Sequence, residues 1–166
     1  KLNDREEARN FWKQRVLGYA ERKIETTNIP GTFGRQNNLQ ILKAQEKAIK
    51  NSGLEITRLF VYSGSDEEEL KQLTSVIGHQ INMGISVRII DSAALNFSAG
   101  SLRDGIGSID FMIIDDDNAY ITKTSTGYEV EFTRNKKTLD DARLLWQELI
   151  SDSEPIDDIS DLPWIA

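Results

Sequence analysis

Three short apolar or alternating runs follow one another in the second half of the chain, with only turns between them. The runs cover residues 109–114, 119–123 and 128–133. Strands joined by such short connections pair antiparallel, because a parallel pair needs a crossover of about a dozen residues or more. This stretch predicts an antiparallel meander, and it restricts the chain to folds that contain a sheet.

The residues before the meander show a different pattern, in which helices alternate with single strands. Apolar spacing predicts a helix over residues 4–22, a second carrying Leu39, Leu42 and Ile49, and a third that opens at Ser65-Asp66-Glu67-Glu68 and ends at Gly84. Strands are predicted at 23–27, 55–62 and 85–90. A final helix, capped at Thr138-Leu139-Asp140-Asp141, is expected to direct Leu144, Leu145, Trp146 and Leu149 toward the sheet.

Together these patterns predict an α/β fold. Its mixed sheet has a parallel βαβ half followed by the antiparallel meander, with helices packed on the sheet. A length of 166 residues and 39% apolar content are enough for one core. We expect a single α/β domain over 1–152 and an acidic tail over 153–166. Lys1 at the start and the loosely patterned end are typical of a domain from a larger regulatory protein.

Composition excludes several classes of function. The net charge of −7 repels a polyphosphate backbone, so generic nucleic-acid binding is not expected. The chain has no cysteine, hence no disulfide and no thiolate metal site. Neither a membrane-spanning run nor an export signal is visible, and a cytoplasmic location is expected. No cofactor is predicted.

Few residues qualify for catalysis or metal binding. His79 is the only histidine, and helical spacing places it opposite the apolar stripe of its helix, on the solvent side. Asp115-Asp116-Asp117-Asn118 offers oxygen ligands of the kind that Mg²⁺ and Ca²⁺ prefer, although the same residues are typical of a hairpin turn. Ser63-Gly64-Ser65 precedes a helix whose first turn is acidic, which disfavours a phosphate there.

A binding site is expected at the carboxyl ends of the parallel strands, where loops converge in open α/β sheets. The loop 99–107, which contains Arg103, is long enough to close over them. Such a site suits a small polar ligand or a peptide. Its candidate residues are Thr26, Thr27, Asn28, Tyr62, Ser63, Asp91, Ser92, Arg103, Ser108 and Asp110.

The order of elements and the run Ser108-Ile-Asp-Phe-Met-Ile-Ile-Asp115 resemble the phospholipase D-like superfamily. In that family the strand carries His-x-Lys-x-x-x-x-Asp, where the histidine attacks phosphorus and the lysine holds the phosphate. Ser108 falls on the histidine position, Asp110 on the lysine position and Asp115 on the aspartate position. The stretch Leu54 to Ile90 is similar to noncatalytic phospholipase D-like domains of bacterial regulators.

The resemblance therefore implies a noncatalytic sensor or interaction domain of a larger regulatory protein. A serine without a base does not replace the imidazole, and Asp110 repels the phosphate that a lysine attracts. Two alternatives remain open. One is a divergent phosphodiesterase or nuclease in which Asp110, Asp115 and Asp116 hold a metal, and the other is a dimerisation module, since active family members combine two such halves.

Overall fold

Helices and strands alternate in the first half of the chain, and strands predominate in the second. The computed structural model describes residues 7, 10, 11, 16–18, 20–30, 39–95, 107–123 and 129–165. The strands in these ranges are β1 (Lys23–Asn28), β2 (Glu55–Tyr62), β3 (Ser86–Asp91), β4 (Phe111–Ile114), β5 (Asn118–Lys123), β6 (Glu129–Thr133) and β7 (Glu154–Ile156). The helices there are α1 (Leu39–Ser52), α2 (Glu67–Asn82) and α3 (Lys136–Ser151), with a short 3₁₀ helix at Ile159–Asp161.

All seven strands form one sheet in the order β6-β5-β4-β1-β2-β3-β7. Neighbours β1, β2 and β3 are parallel. β4 runs antiparallel to β1, and β4, β5 and β6 form the meander. The predicted α/β class and mixed sheet are confirmed.

One face of the sheet is covered by α1 and α2. Ile24 of β1, Phe60 of β2 and Ile89 of β3 belong to the same buried cluster as Leu73 and Ile77 of α2. All five side chains are at most 2% exposed, so this layer is a dry core between the sheet and the helices.

The ends of α2 follow from its sequence. Asp66 caps the helix, and its carboxylate accepts hydrogen bonds from the backbone N–H groups of Glu68 and Glu69. Beyond the last turn, Gly84 adopts a φ of 85°, which a residue with a side chain takes only under strain. His79 is exposed. The predicted end and orientation of this helix are confirmed, and its cap is Asp66 instead of Ser65, the first residue of the predicted capping box.

The opposite face is covered by α3. Leu145, Trp146 and Leu149 share a buried cluster with Phe111 and Ile113 of β4. Because Met112 and Ile114 of the same strand lie in the other cluster, β4 is buried on both faces. It is an interior strand between β5 and β1, not a sheet edge facing water.

Two details of α3 differ from the prediction. The helix starts three residues earlier than the predicted cap at Thr138 allows, because Asn135 is the cap and its side chain accepts from the Thr138 N–H at 3.1 Å. Leu144 does not face the sheet, since it is 50% exposed. Leu145 and Trp146 already occupy the buried side of that turn, which leaves Leu144 on the solvent side.

The acidic segment 153–166 is not a separate tail over its described part. Glu154–Ile156 pairs antiparallel with β3 as strand β7. Leu162 is 1% exposed in the α2 cluster, and the Trp164 ring packs tilted against Tyr62 with ring centroids 4.8 Å apart. This stretch belongs to the domain, because its few apolar residues are placed to pack against α2 and the sheet. Most of the predicted helix over 4–22 lies outside the described residues.

Candidate functional site

A cleft of about 650 Å³ opens at the carboxyl ends of the parallel strands, where the sequence predicts a site. Its apolar wall is formed by Ile29, Pro30, Val61, Leu95 and Ile109, and its polar lining by Ser63, Ser65, Asp91, Ser92 and Ser108. We call it the serine cleft. Four of the predicted site residues, Ser63, Asp91, Ser92 and Ser108, therefore lie around one opening.

The strand ends explain why these residues meet. Tyr62 and Asp91 are the register partners that end β2 and β3, and the backbone N–H of Ser92 donates to the Tyr62 carbonyl at 2.8 Å. This hydrogen bond holds the two following turns side by side. Ser63 and Ser92, the first residues after the strands, consequently open onto the same cleft.

The polar side chains of the serine cleft make few hydrogen bonds to the described part of the protein. The hydroxyls of Ser63 and Ser65 are 2.8 Å apart and share one hydrogen bond. Oδ1 of Asp91 accepts from the Ala93 N–H at 2.9 Å, and the Ser108 hydroxyl accepts from the Asp110 N–H at 3.0 Å. Each of these side chains keeps capacity for at least one further hydrogen bond. The lining can therefore bind a polar ligand without breaking the fold.

Thr26, Thr27 and Asn28 are not part of this cleft. All three are at most 6% exposed. The Thr27 hydroxyl accepts from the backbone N–H of Phe111 at 2.9 Å and lies within hydrogen-bonding distance of two carbonyl oxygens of the same segment. Their position at the end of β1 is as predicted, but they are covered by the sheet's own packing, and Thr27 ties β1 to the start of β4.

Tyr62 and Asp110 also lie away from the lining. The Tyr62 ring packs against Trp164, and burial, followed by the charges of Asp91 and Glu154, raises the pKa of its phenol. Asp110 is half-buried, and its carbonyl accepts from the Thr122 N–H at 2.9 Å. Arg103 lies outside the described residues.

Side chains of the segment 108–114 alternate between the two faces of the sheet from Phe111 onward. Met112 and Ile114 face α1 and α2, whereas Phe111 and Ile113 face α3. Ser108 precedes the strand, and its hydroxyl accepts from the N–H two residues later, which bends the chain. This bend places Ser108 in the serine cleft while Asp110 remains outside it.

Asp115 has a structural role that the sequence did not reveal. Its carboxylate accepts from the backbone N–H groups of Glu21, Arg22 and Lys23, each at 2.8 Å, and Arg22 donates through Nη2 to the Asp115 carbonyl at 2.7 Å. Burial, the largest single influence, favours the neutral acid. The N–H groups of Glu21, Lys23 and Arg22 together outweigh it, so the pKa of Asp115 lies below its usual value of 3.8.

The acidic run 115–118 forms a hairpin turn rather than a cluster of free ligands. Asp115 and Asp116 have φ values of 52° and 67°, which aspartate tolerates better than most residues. Oδ1 of Asp116 forms ion pairs with Nζ of Lys23 at 3.1 Å and with Nε of Arg143 at 3.6 Å. Across the described ranges, no group of three or more potential metal-ligating side chains is found.

One buried cation lies outside the serine cleft. Arg58 on β2 is 2% exposed, and its Nη1 donates to Oε1 of Gln80 on α2 at 3.0 Å. Burial lowers the pKa of Arg58 to about 10, so the side chain remains charged near neutral pH. Its one signal in the sequence is a charged residue at an alternating position between Ile56 and Phe60. The arrangement couples α2 to the centre of the sheet.

Comparison with known proteins adds no family to this picture: no family model matches the chain, and no curated protein matches it. Within the residues that the structure describes, no helix has the length and apolarity needed to cross a bilayer.

Proposed function

We propose that this chain is a noncatalytic, phospholipase D-like domain that binds a small polar ligand in the serine cleft. It would act within a larger regulatory protein in the cytoplasm. The observation that carries the proposal is the convergence of Ser63, Asp91, Ser92 and Ser108 on one opening beside an apolar wall. A volume of about 650 Å³ is within the range of small-molecule sites, roughly 300–1,000 Å³.

The chemistry of the lining supports binding rather than phosphodiester cleavage. A covalent mechanism needs an imidazole and a cation at the phosphate. The residue at the family's histidine position, Ser108, lies in the cleft next to no described imidazole, since His79 is exposed on α2. Asp110, at the lysine position, is an anion outside the lining. Hydroxyls beside a carboxylate suit recognition of a neutral or cationic molecule.

The metal-dependent alternative finds no support in the positions of its three carboxylates. Asp110 and Asp115 flank β4 at opposite ends, and five residue steps along a strand separate them by roughly 17 Å. Such a distance is too long for one ion to bridge. In addition, the Asp115 carboxylate already accepts three backbone hydrogen bonds.

The proposal is tested by screening a panel of small polar metabolites with a thermal-shift assay and confirming hits by calorimetry. We expect a ligand whose affinity falls about tenfold in the double variant Ser63→Ala, Ser92→Ala, which removes two neutral hydrogen bonds of about 0.5–1.5 kcal/mol each. Ser75→Ala, an exposed serine in the middle of α2, is the matched control and should bind normally.

Silence across the panel, or equal binding by the double variant, would count against the cleft. Turnover of bis-p-nitrophenyl phosphate that disappears in Ser108→Ala would instead favour an enzyme. Binding of a protein partner and formation of a homodimer remain predictions. Light scattering at high concentration addresses the dimer, and a monomer there argues against it.

A further inference from the structure

Acidic residues border the serine cleft. Asp91 lines it, and Ser65 on its rim is followed directly by Asp66, Glu67, Glu68 and Glu69. Lys71 lies 3.8 Å from Glu68, but both side chains are highly exposed, and such surface pairs neutralise little of the local field. Of the lining residues that the structure describes, none is basic. With a net charge of −7 on the whole chain, the field at this opening attracts cations and repels anions.

The Asp91 carboxylate is well placed to use that field. One of its oxygens, Oδ1, accepts from the Ala93 N–H. Within the described ranges its second oxygen, Oδ2, has no hydrogen-bond partner. The Ser92 hydroxyl next to it likewise donates to no described group, and a serine oxygen has lone pairs to offer. An ammonium group has three N–H donors and no acceptor, so a carboxylate oxygen with neighbouring hydroxyl oxygens satisfies it fully.

The apolar part of the lining determines which group attached to the ammonium is favoured. Ile29, Val61, Leu95 and Ile109 offer aliphatic surface without aromatic rings. Such a wall favours methylene groups, because burying them releases water, and it offers no stacking surface for a base or a sugar ring. The site combines an acidic, hydroxylated edge with an aliphatic wall.

We infer that the ligand class of the serine cleft is the small aliphatic amines. The ammonium group binds between Asp91 and the hydroxyls of Ser92 and Ser63, and the carbon chain lies against Val61 and Leu95. This inference rests on the proposed function, because it names the chemistry of the ligand for the same cleft. It excludes phosphate esters and carboxylates as ligands.

The test compares three probes of similar length that differ in charge: diaminobutane, butanediol and succinate. Calorimetry on the full chain at low ionic strength should show diaminobutane binding at least about tenfold more tightly than butanediol, and no binding of succinate. Asp91→Asn should weaken diaminobutane about tenfold and leave butanediol unchanged. Asp157→Asn is the matched control, since this exposed aspartate follows the strand that pairs with the opposite end of β3.

The outcomes separate this inference from the function on which it rests. Equal affinity for the diol and the diamine, or no effect of Asp91→Asn, overturns the amine assignment and leaves a neutral-ligand cleft standing. An equal loss in Asp157→Asn also overturns it, because diffuse attraction to an acidic surface would then explain the binding. If neither these probes nor the metabolite panel binds, the proposed function fails as well.

Discussion

The two ends of the parallel strands use the same side chain in opposite ways. At the amino end of β1, the Asp115 carboxylate accepts three backbone hydrogen bonds and is 8% exposed. At the carboxyl end of β3, Asp91 accepts one hydrogen bond from its own turn and lines an open cleft. The position of an aspartate at a strand end therefore does not indicate its function. The hydrogen bonds that its carboxylate accepts do.

The difference follows from what each carboxylate can reach. Asp115 belongs to a turn that passes beside the segment entering β1, which is 94 residues away at Glu21. Three N–H groups there have no strand partner for their bonds, and one carboxylate satisfies them. Asp91 lies at the beginning of a loop, where, among the residues that the structure describes, the Ala93 N–H is the one backbone donor to its carboxylate. The carboxylate at the amino end of the strands stabilises the fold, whereas the carboxylate at their carboxyl end keeps an oxygen available for a ligand.

The strongest way to break this comparison is Asp115→Ala. We expect a loss of about 3 kcal/mol in the free energy of unfolding, because three N–H groups lose their acceptor and alanine is strained at a φ of 52°. Urea denaturation measures it. Asp117→Ala, an exposed residue of the same turn, should change stability by less than about 0.5 kcal/mol. Similar stabilities for the two variants would contradict the structural role of Asp115.

The neighbouring threonines of β1 sharpen the comparison. Thr27→Val should cost about 2 kcal/mol, because it leaves the buried N–H of Phe111 without its acceptor. Thr26→Val should cost less than about 1 kcal/mol, since its hydroxyl makes only long contacts of 3.3 and 3.4 Å. Thermal unfolding of the two variants gives the ranking. Ligand affinity should be unchanged in both variants. A loss of affinity in either variant would show that the end of β1 belongs to the binding site.

The difference in the free energy of unfolding between wild type and Asp115→Asn should disappear at acidic pH. The pKa of Asp115 is lowered in the folded protein, so its charge stabilises the fold above the usual value of 3.8, and this contribution is lost as the pH falls through the folded-state pKa. Urea titrations between about pH 7 and pH 3 should show wild type losing more stability than Asp115→Asn. A constant gap between the two across this range would exclude ionisation as the cause.

The smallest expected effect belongs to His79→Ala. The side chain is exposed on α2, away from the serine cleft, so stability should change by less than about 0.5 kcal/mol and ligand affinity should not change. Calorimetry and urea denaturation on one sample give both values. A clear loss of affinity would mean that the functional end of the molecule includes this helix face.

Local signals predicted most of the fold. The β-branched run of β2 and the acidic cap of α2 depend on residues close in sequence, and both elements have the expected bounds to within a residue or two. The cap of α3 was misplaced because Thr138 and Asn135 are both good capping residues, and only the backbone geometry decides between them. Leu144 was misjudged because three adjacent apolar residues cannot all face the sheet.

The sequence predicts the location of the candidate site, but it does not predict which residues line it. Parallel strand ends converge by topology, so Ser63 and Ser92 could be named in advance. Packing by segments distant in sequence decides which residues near the strand ends are buried. This packing buries Thr27 and Asn28 and keeps them out of the cleft lining. The role of Asp115 was hidden for the same reason, since its partners are more than ninety residues away.

The short pairing of β7 with β3 has a consequence for which edge of the sheet other chains can reach. β3 contains Val87, Ile89 and Ile90, and its outer backbone groups would otherwise be open to pairing with other chains. β7 covers that side with three residues, of which Pro155 has no N–H to offer a newcomer. Deleting this strand should expose β3 as a template for aggregation.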